Sequence, residues 1–145
     1  MENRNGLLMD FKLAAATGTA ERETALEMLD HSLPGSNRIT LGADKGYDTF
    51  KFVTLCRLRN VTPHVSQNTA RKGGSCIDSR TNRHKGYQVS QRIRKRVEEI
   101  FGWAKTVGNF RKTRFVGMDK TQLAAYFVGA AYNLLRIAKL TEEQG

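Results

Sequence analysis

Apolar residues in this chain recur first at every second position and then at every third or fourth. That change of period restricts the fold more than any other feature. In "GLLMDFKLAAA", residues 6–16, Leu7, Met9, Phe11, Leu13 and Ala15 share one face, as in a strand. In "TGTAERETALEML" the period lengthens. Thr19 is placed to cap a helix, Glu21 and Glu23 suit its first turn, and Ala25, Met28 and Leu29 form a stripe. Pro34 and Gly35 end that helix. "RITLGAD" reads as a short buried strand closing at Asp44; Gly46 permits a sharp turn, and Asp48 can cap a second helix over residues 49–59. "VTPHVS" reads as a third strand, which Pro63 pushes toward a sheet edge.

Residues 67–89 have no clear period. They are basic, polar and glycine-containing, and read as a long flexible loop able to order on a polyanion. Residues 90–107 give the clearest helix, with Ile93, Val97, Ile100, Phe101, Ala104 and Val107 on one side. A basic turn, "GNFRKTRF", follows. Asp119 then caps a last helix whose stripe of Leu123, Phe127, Ala130, Leu134 and Ala138 is expected to pack on the sheet. Strand, helix, strand, helix, strand, loop, helix, helix is the order of an α/β domain. With 145 residues, no internal repeat and no linker, one domain is expected.

Charge is unevenly spread. Residues 1–50 carry 5 Lys/Arg against 8 Asp/Glu, whereas residues 51–120 carry 17 against 4. A positive field confined to the middle of the chain suits a polyanion partner. Cys56 and Cys76 form no CxxC pair, and His31, His64 and His84 have no metal-ligand spacing, so neither a zinc site nor a disulfide framework is expected. No apolar run reaches the roughly 18 residues of a membrane span, and "MENRNGLLMD" does not read as a signal peptide. The isolated thiols suggest a reducing compartment, such as the cytoplasm.

Two carboxylates stand out. Asp44 closes a buried strand, at the end that faces the ligand crevice in α/β sheets. In the helical stretch "RVEEIFGWAK", at about 100° per residue, Arg94, Glu98 and Lys105 fall within roughly 40° of one another. Gln91 continues that line, whereas Glu99 lies on the opposite flank. Both carboxylates also have plain explanations, a turn aspartate and an i,i+4 ion pair. Brought together, they could hold Mg²⁺, which takes oxygen ligands and accepts phosphate oxygens beside them. Trp103 is read as core or core rim, although it could stack on a base.

Four segments, "ENRNGLLMD", "TGTAERETALEML", "GADKGYDT" and "RVEEIFGWAKTVG", occur in an order and spacing that resemble bacterial insertion-sequence transposases of the DDE type. The resemblance is to the C-terminal portion of the catalytic domain in the Tnp-one-like group with the Y-x2-R-x3-E-x6-K motif, and it runs from residue 1 to about residue 140. It implies an α/β, RNase H-like (retroviral-integrase-type) mixed sheet with flanking helices. It also implies DNA cleavage and strand transfer at transposon ends, by hydrolysis and then attack of a 3′ hydroxyl. The family holds two Mg²⁺ (or Mn²⁺) ions on three acidic residues. Asp44 matches the second Asp, within D-x-G-[FY] (Asp44, Gly46, Tyr47), and Glu98 matches the Glu. Arg94 and Lys105 match the motif's Arg and Lys, and Gln91 stands where its Tyr usually is.

Further phosphate contacts are expected, by charge, from Arg71, Lys72, Arg80, Arg83, Lys85, Arg92 and Lys95. The family's first Asp lies upstream of the segment resembling "MENRNGL", and Asp10 falls on the wrong face to replace it. The chain therefore reads as a domain truncated at its N-terminus, a decayed remnant or the second of two reading frames. The two-metal site is then expected only in the full-length protein, and the fragment alone is expected to be inactive. DNA, both transposon ends and target, is the expected partner, with a second copy or a full-length transposase beside it. Two alternatives remain open: a non-catalytic DNA-binding remnant or transposition inhibitor, and a small basic protein of ribosomal type.

Overall fold

Two short β-branched segments joined by a helix make the sheet of one part of the fold. In the computed structural model, which describes residues 1–32 and 37–143, β1 (Ile39–Ala43) and β2 (Val61–Val65) run parallel, with Ile39 opposite Val61 and Ala43 opposite Val65. Parallel neighbours need a crossover, and α2 (Phe50–Leu58) supplies it. The Ser66 N–H donates to the Ala43 carbonyl. Alternation then turns the backbone groups of residues 62, 64 and 66 toward β1, so the N–H that Pro63 lacks falls on the open side of β2 and costs no ladder bond. The expected α/β class holds, as a small two-stranded parallel sheet with helices; no further strand forms among the described residues.

The chain divides into two compact units, Thr17–Arg94 and a second made of Met1–Ala16 with Lys95–Gly145. The sheet belongs to the first. There Phe52, Val53 and Cys56 of α2 pack with Val61, Val65, Ile77 and Tyr87, all buried, and with Leu26 of α1 (Ala20–Ser32). Burying a side chain such as Phe52 contributes about 2–3 kcal/mol. Leu26, not Met28, is the deepest residue of α1, flanked by Ala25 and Leu29. Thr19 starts that helix through its carbonyl, which accepts from the N–H groups of Arg22 and Glu23, while the Thr17 hydroxyl accepts from the Ala20 N–H. Pro34 and Gly35, expected to end α1, lie outside the described residues.

Asp48 does not cap α2. Thr49 does, its hydroxyl accepting from the Phe52 N–H at 3.3 Å. The Asp48 carboxylate is buried and turned toward the segment that follows β2, where it accepts the N–H groups of Asn68 at 2.7 Å and Cys76 at 2.8 Å. Residues 67–89, expected as a loop without regular structure, thus close around one carboxylate. They then form α3 (Ser79–Asn82) and enter α4 (Lys85–Ile93).

The helix expected over 90–107 is two helices. α4 ends at Ile93, α5 spans Arg96–Thr106, and Arg94 and Lys95 sit between them. Both intervening residues keep right-handed helical dihedrals, so periodicity alone carries no mark of the break. The Glu98 N–H reaches the Lys95 carbonyl, one residue short of an α-helical bond.

In the second unit, residues 6–16 form no strand, despite their alternation. The segment is extended and lies along α6 (Met118–Glu142), whose carboxamide side chains take the place of a neighbouring strand. Asn133 accepts from the Leu8 N–H and donates to the Leu8 carbonyl, each at 2.8 Å. Gln122 accepts from the Leu13 N–H and donates to the Phe11 carbonyl, each at 2.7 Å. Gln122 and Asn133 are eleven residues apart, about three turns, and so share one face. That face, with buried Ala125 and Gly129, packs inward. The expected stripe of Leu123, Phe127, Ala130, Leu134 and Ala138 is exposed instead, with Phe127 and Leu134 each 69% accessible. Backbone hydrogen bonding by two amides chose the packed face over side-chain hydropathy. On α5 only Ile100 and Ala104 of the expected stripe are buried; Val97, Phe101 and Val107 are exposed. Phe11 sets its ring edge-on against Phe101 and Phe110, and Trp103 packs against Tyr132.

Candidate active site

β1 delivers Asp44. Its carboxylate accepts the Gly46 N–H at 2.7 Å, closing a tight turn of one 3₁₀ winding over Lys45–Tyr47. Arg22 of α1 steadies the same turn, its guanidinium donating to the Gly46 and Gly18 carbonyls. The carboxylate remains exposed. Tyr47 folds back onto Phe52, ring centroids 5.1 Å apart. Burial, reinforced by the negative charges of Glu21 and Asp44, raises its phenol pKa, so it stays neutral beside the turn.

α4 crosses the sheet next to this turn and brings two residues of the sequence motif with it. The Gln91 side chain donates to the His64 carbonyl of β2 at 2.6 Å and accepts from Arg94 Nε at 3.1 Å. A side chain at Gly42 would meet the Arg94 Cβ at 3.3 Å, so the glycine admits the close approach of α4 to β1, two residues before Asp44. Gln91 is therefore a brace between the sheet and the motif arginine. Below it, His64 Nδ1 and the Ser90 hydroxyl lie 2.7 Å apart, both buried, and the Tyr87 hydroxyl donates to the Val65 carbonyl. Burial, then the neighbouring His84, lowers the His64 pKa, so the ring is neutral near pH 7.

In the other unit, α5 carries Glu98 and Lys105, both exposed. Seven residues apart, they keep the common line expected of them, about 10 Å along the helix. Glu98 and Glu99 occupy the first turn, where the helix dipole favours negative charge. The common line of Arg94 with Glu98 and Lys105 assumed one continuous helix; Arg94 precedes α5 and belongs to the first unit.

The basic residues fall into two sets. Arg71 is engaged in its own loop, donating to the Asp48 and Gly74 carbonyls and to the Cys76 sulfur. Arg80 is bound through Nε and Nη2 to Asp78, which Arg57 also meets at 3.0 Å. A phosphate would have to displace those partners. Lys72, Arg83, Lys85, Arg92 and Lys95 are exposed, as charge alone suggested.

Asp48 was missed as an organising residue. Burial alone would raise its pKa, but the donors Asn68, Ser75 and Cys76 outweigh that, so it is lowered and the carboxylate stays ionised. Arg22 was missed as well, since nothing in its spacing points to the Asp44 turn.

Asp44 and Glu98 offer exposed hard oxygen donors, the kind that Mg²⁺ or Mn²⁺ takes. Among the described residues, however, no three His, Cys, Asp or Glu side chains gather where a metal could be held. No helix among them is long and apolar enough to cross a membrane. No curated protein and no solved structure significantly matches the chain. A family model described as "Transposase DDE domain" matches residues 1–134. DDE transposases cut and join DNA and generally use divalent metal ions. With nearly its whole length matched, the chain belongs to the transposase DDE domain family.

Proposed function

We propose that this chain is the C-terminal portion of an insertion-sequence transposase catalytic domain of the Tnp-one-like, YREK-motif group, with an RNase H-like ancestry. In this reading it acts at transposon ends in the bacterial cytoplasm. Asp44 and Glu98 are two of the metal-ligating carboxylates. Divalent ions held there would activate the attacking hydroxyl and stabilise the leaving oxygen of a phosphodiester. The chain's own residues bind and orient. Arg94, set by Gln91, and Lys105 hold end phosphates, and Lys72, Arg83, Lys85, Arg92 and Lys95 extend the contact by charge.

One observation supports this reading above the others: an exposed aspartate closes a parallel strand in a tight Asx turn, within a chain of the DDE family. An acid in that position is free to accept a ligand, whereas a purely structural turn aspartate gains nothing from the motif residues packed on the preceding strand.

The non-catalytic alternative needs no metal site, and among the described residues no three His, Cys, Asp or Glu side chains gather. We therefore expect the chain alone to bind DNA without completing strand transfer, as a partner or inhibitor of a full-length transposase. Incubation of the purified chain with Mn²⁺ and transposon-end duplexes tests this. Retarded but intact DNA is the expected result, and cleaved or joined product would overturn the inactive assignment. Binding without any preference for end sequences over random duplex would favour the generic basic protein.

A further inference from the structure

The connection between α5 and α6 holds a cationic, aromatic tip that none of the motif residues includes. From Ile100 to Met118 the chain has four basic residues, Lys105, Arg111, Lys112 and Arg114, and no acid. Arg111, Lys112 and Arg114 are exposed, and beside them Phe115 is 53% and Val116 89% accessible. A single exposed apolar side chain is ordinary; two adjacent ones set among three cations need a reason.

The tip is held at both ends. At its start, Asn109 takes a left-handed conformation and the Phe110 N–H donates to the Ala104 carbonyl at 2.8 Å, while the Phe110 ring meets Phe11. At its end, Gly117 takes φ +98°, a conformation that favours glycine, and its carbonyl accepts from the Thr121 hydroxyl at 2.8 Å. The Thr113 hydroxyl accepts from the Phe115 N–H at 3.1 Å and meets the Thr121 hydroxyl at 3.5 Å. Phe115 is thus presented outward from a braced turn.

We propose that this loop is a DNA wedge: Arg111, Lys112 and Arg114 seat on backbone phosphates while Phe115, with Val116, enters the duplex where a base is unpaired or unstacked. The inference rests on DNA being the ligand. The charge selects a polyanion, and the apolar tip selects one with accessible base faces over a simple phosphate surface. Opening a base step costs least where pairing is already lost, so the preferred ligand is a duplex with a disrupted step, such as a frayed end.

The test uses the whole chain and two duplexes of one sequence, one fully paired and one with 2-aminopurine opposite an abasic site. Anisotropy gives the affinities, 2-aminopurine fluorescence reports stacking, and phosphatidylserine vesicles serve as a competing anionic surface. Stacking on one base supports an expected preference of about tenfold for the disrupted duplex. Phe115→Ala combined with Val116→Ser should abolish that preference and leave paired-duplex affinity within about twofold. Replacing Arg111, Lys112 and Arg114 with Ala should weaken both duplexes and keep the ratio. Equal wild-type affinity for the two duplexes, or a preference that survives loss of Phe115 and Val116, overturns the wedge and leaves DNA binding standing. No binding to either duplex at low salt overturns both. Phe115-dependent insertion into vesicles in preference to DNA overturns the wedge in favour of a lipid surface.

Discussion

Replacing Asp48 should unfold the segment that follows β2 before anything else. Its carboxylate is 1% exposed and accepts from the Asn68 N–H, the Cys76 N–H and the Ser75 hydroxyl. Asp48→Ala strands two backbone donors in a site closed to water, and each stranded donor costs about 1–3 kcal/mol. The expected loss is about 2–6 kcal/mol, a large share of the 5–15 kcal/mol typical of a whole domain. Asp48→Asn keeps one accepting oxygen and turns an amide N–H₂ toward a donor, so about 1–3 kcal/mol is expected from it. Urea titration would give the totals. Hydrogen exchange at the Asn68 and Cys76 amides would show whether the loss is local. A carboxylate merely resting in that loop would give an Asp48→Asn variant within 0.5 kcal/mol of wild type with unchanged exchange, and would refute the reasoning.

Acid should act on Thr17–Arg94 in two stages. The His64 pKa is lowered by folding, so its contribution is complete above the unfolded value of about 6.5 and falls away as pH drops from there toward the folded value. The Asp48 pKa is likewise lowered, and its contribution is lost below about 4. Stability measured against pH should show both slopes, and His64→Gln should remove the first. Asn133→Ala deletes two hydrogen bonds to Leu8 and should cost about 1–2 kcal/mol, with faster exchange of the Leu8 amide; unchanged exchange would mean that α6 does not hold the segment. The Cys56 thiol is fully buried and its pKa is pushed up to about 12, so iodoacetamide at pH 8 should label it only at the rate of global unfolding.

What the sequence made legible was local. The β1–α2–β2 order, the Asp44 turn and the helical face of Ile100 and Ala104 follow from patterns a few residues long. What it hid depends on partners far along the chain. Residues 6–16 alternate like a strand, yet Gln122 and Asn133 supply their hydrogen bonds, more than a hundred residues away. The face of α6 that packs is marked by those polar side chains, opposite the stripe that hydropathy selects. The break at Arg94 and Lys95 preserves helical dihedrals and apolar spacing, so no period could reveal it. The ordering of residues 67–78 turns on one buried carboxylate whose sequence context, a Gly turn ahead of a helix, suggests a cap. Asp44 was visible because strand ends and Asx turns have short signatures, whereas the roles of Arg22 and Asp48 have none.

Asp44 and Glu98 are each proposed to ligate a divalent ion, and the catalytic reading stands or falls on that. Manganese binding, followed by electron paramagnetic resonance with duplex DNA present, measures it in the wild type, Asp44→Asn, Glu98→Gln and the double variant. Loss of a carboxylate ligand removes a hard oxygen donor, so each single change should weaken Mn²⁺ binding. Affinity that neither change alters would contradict the assignment.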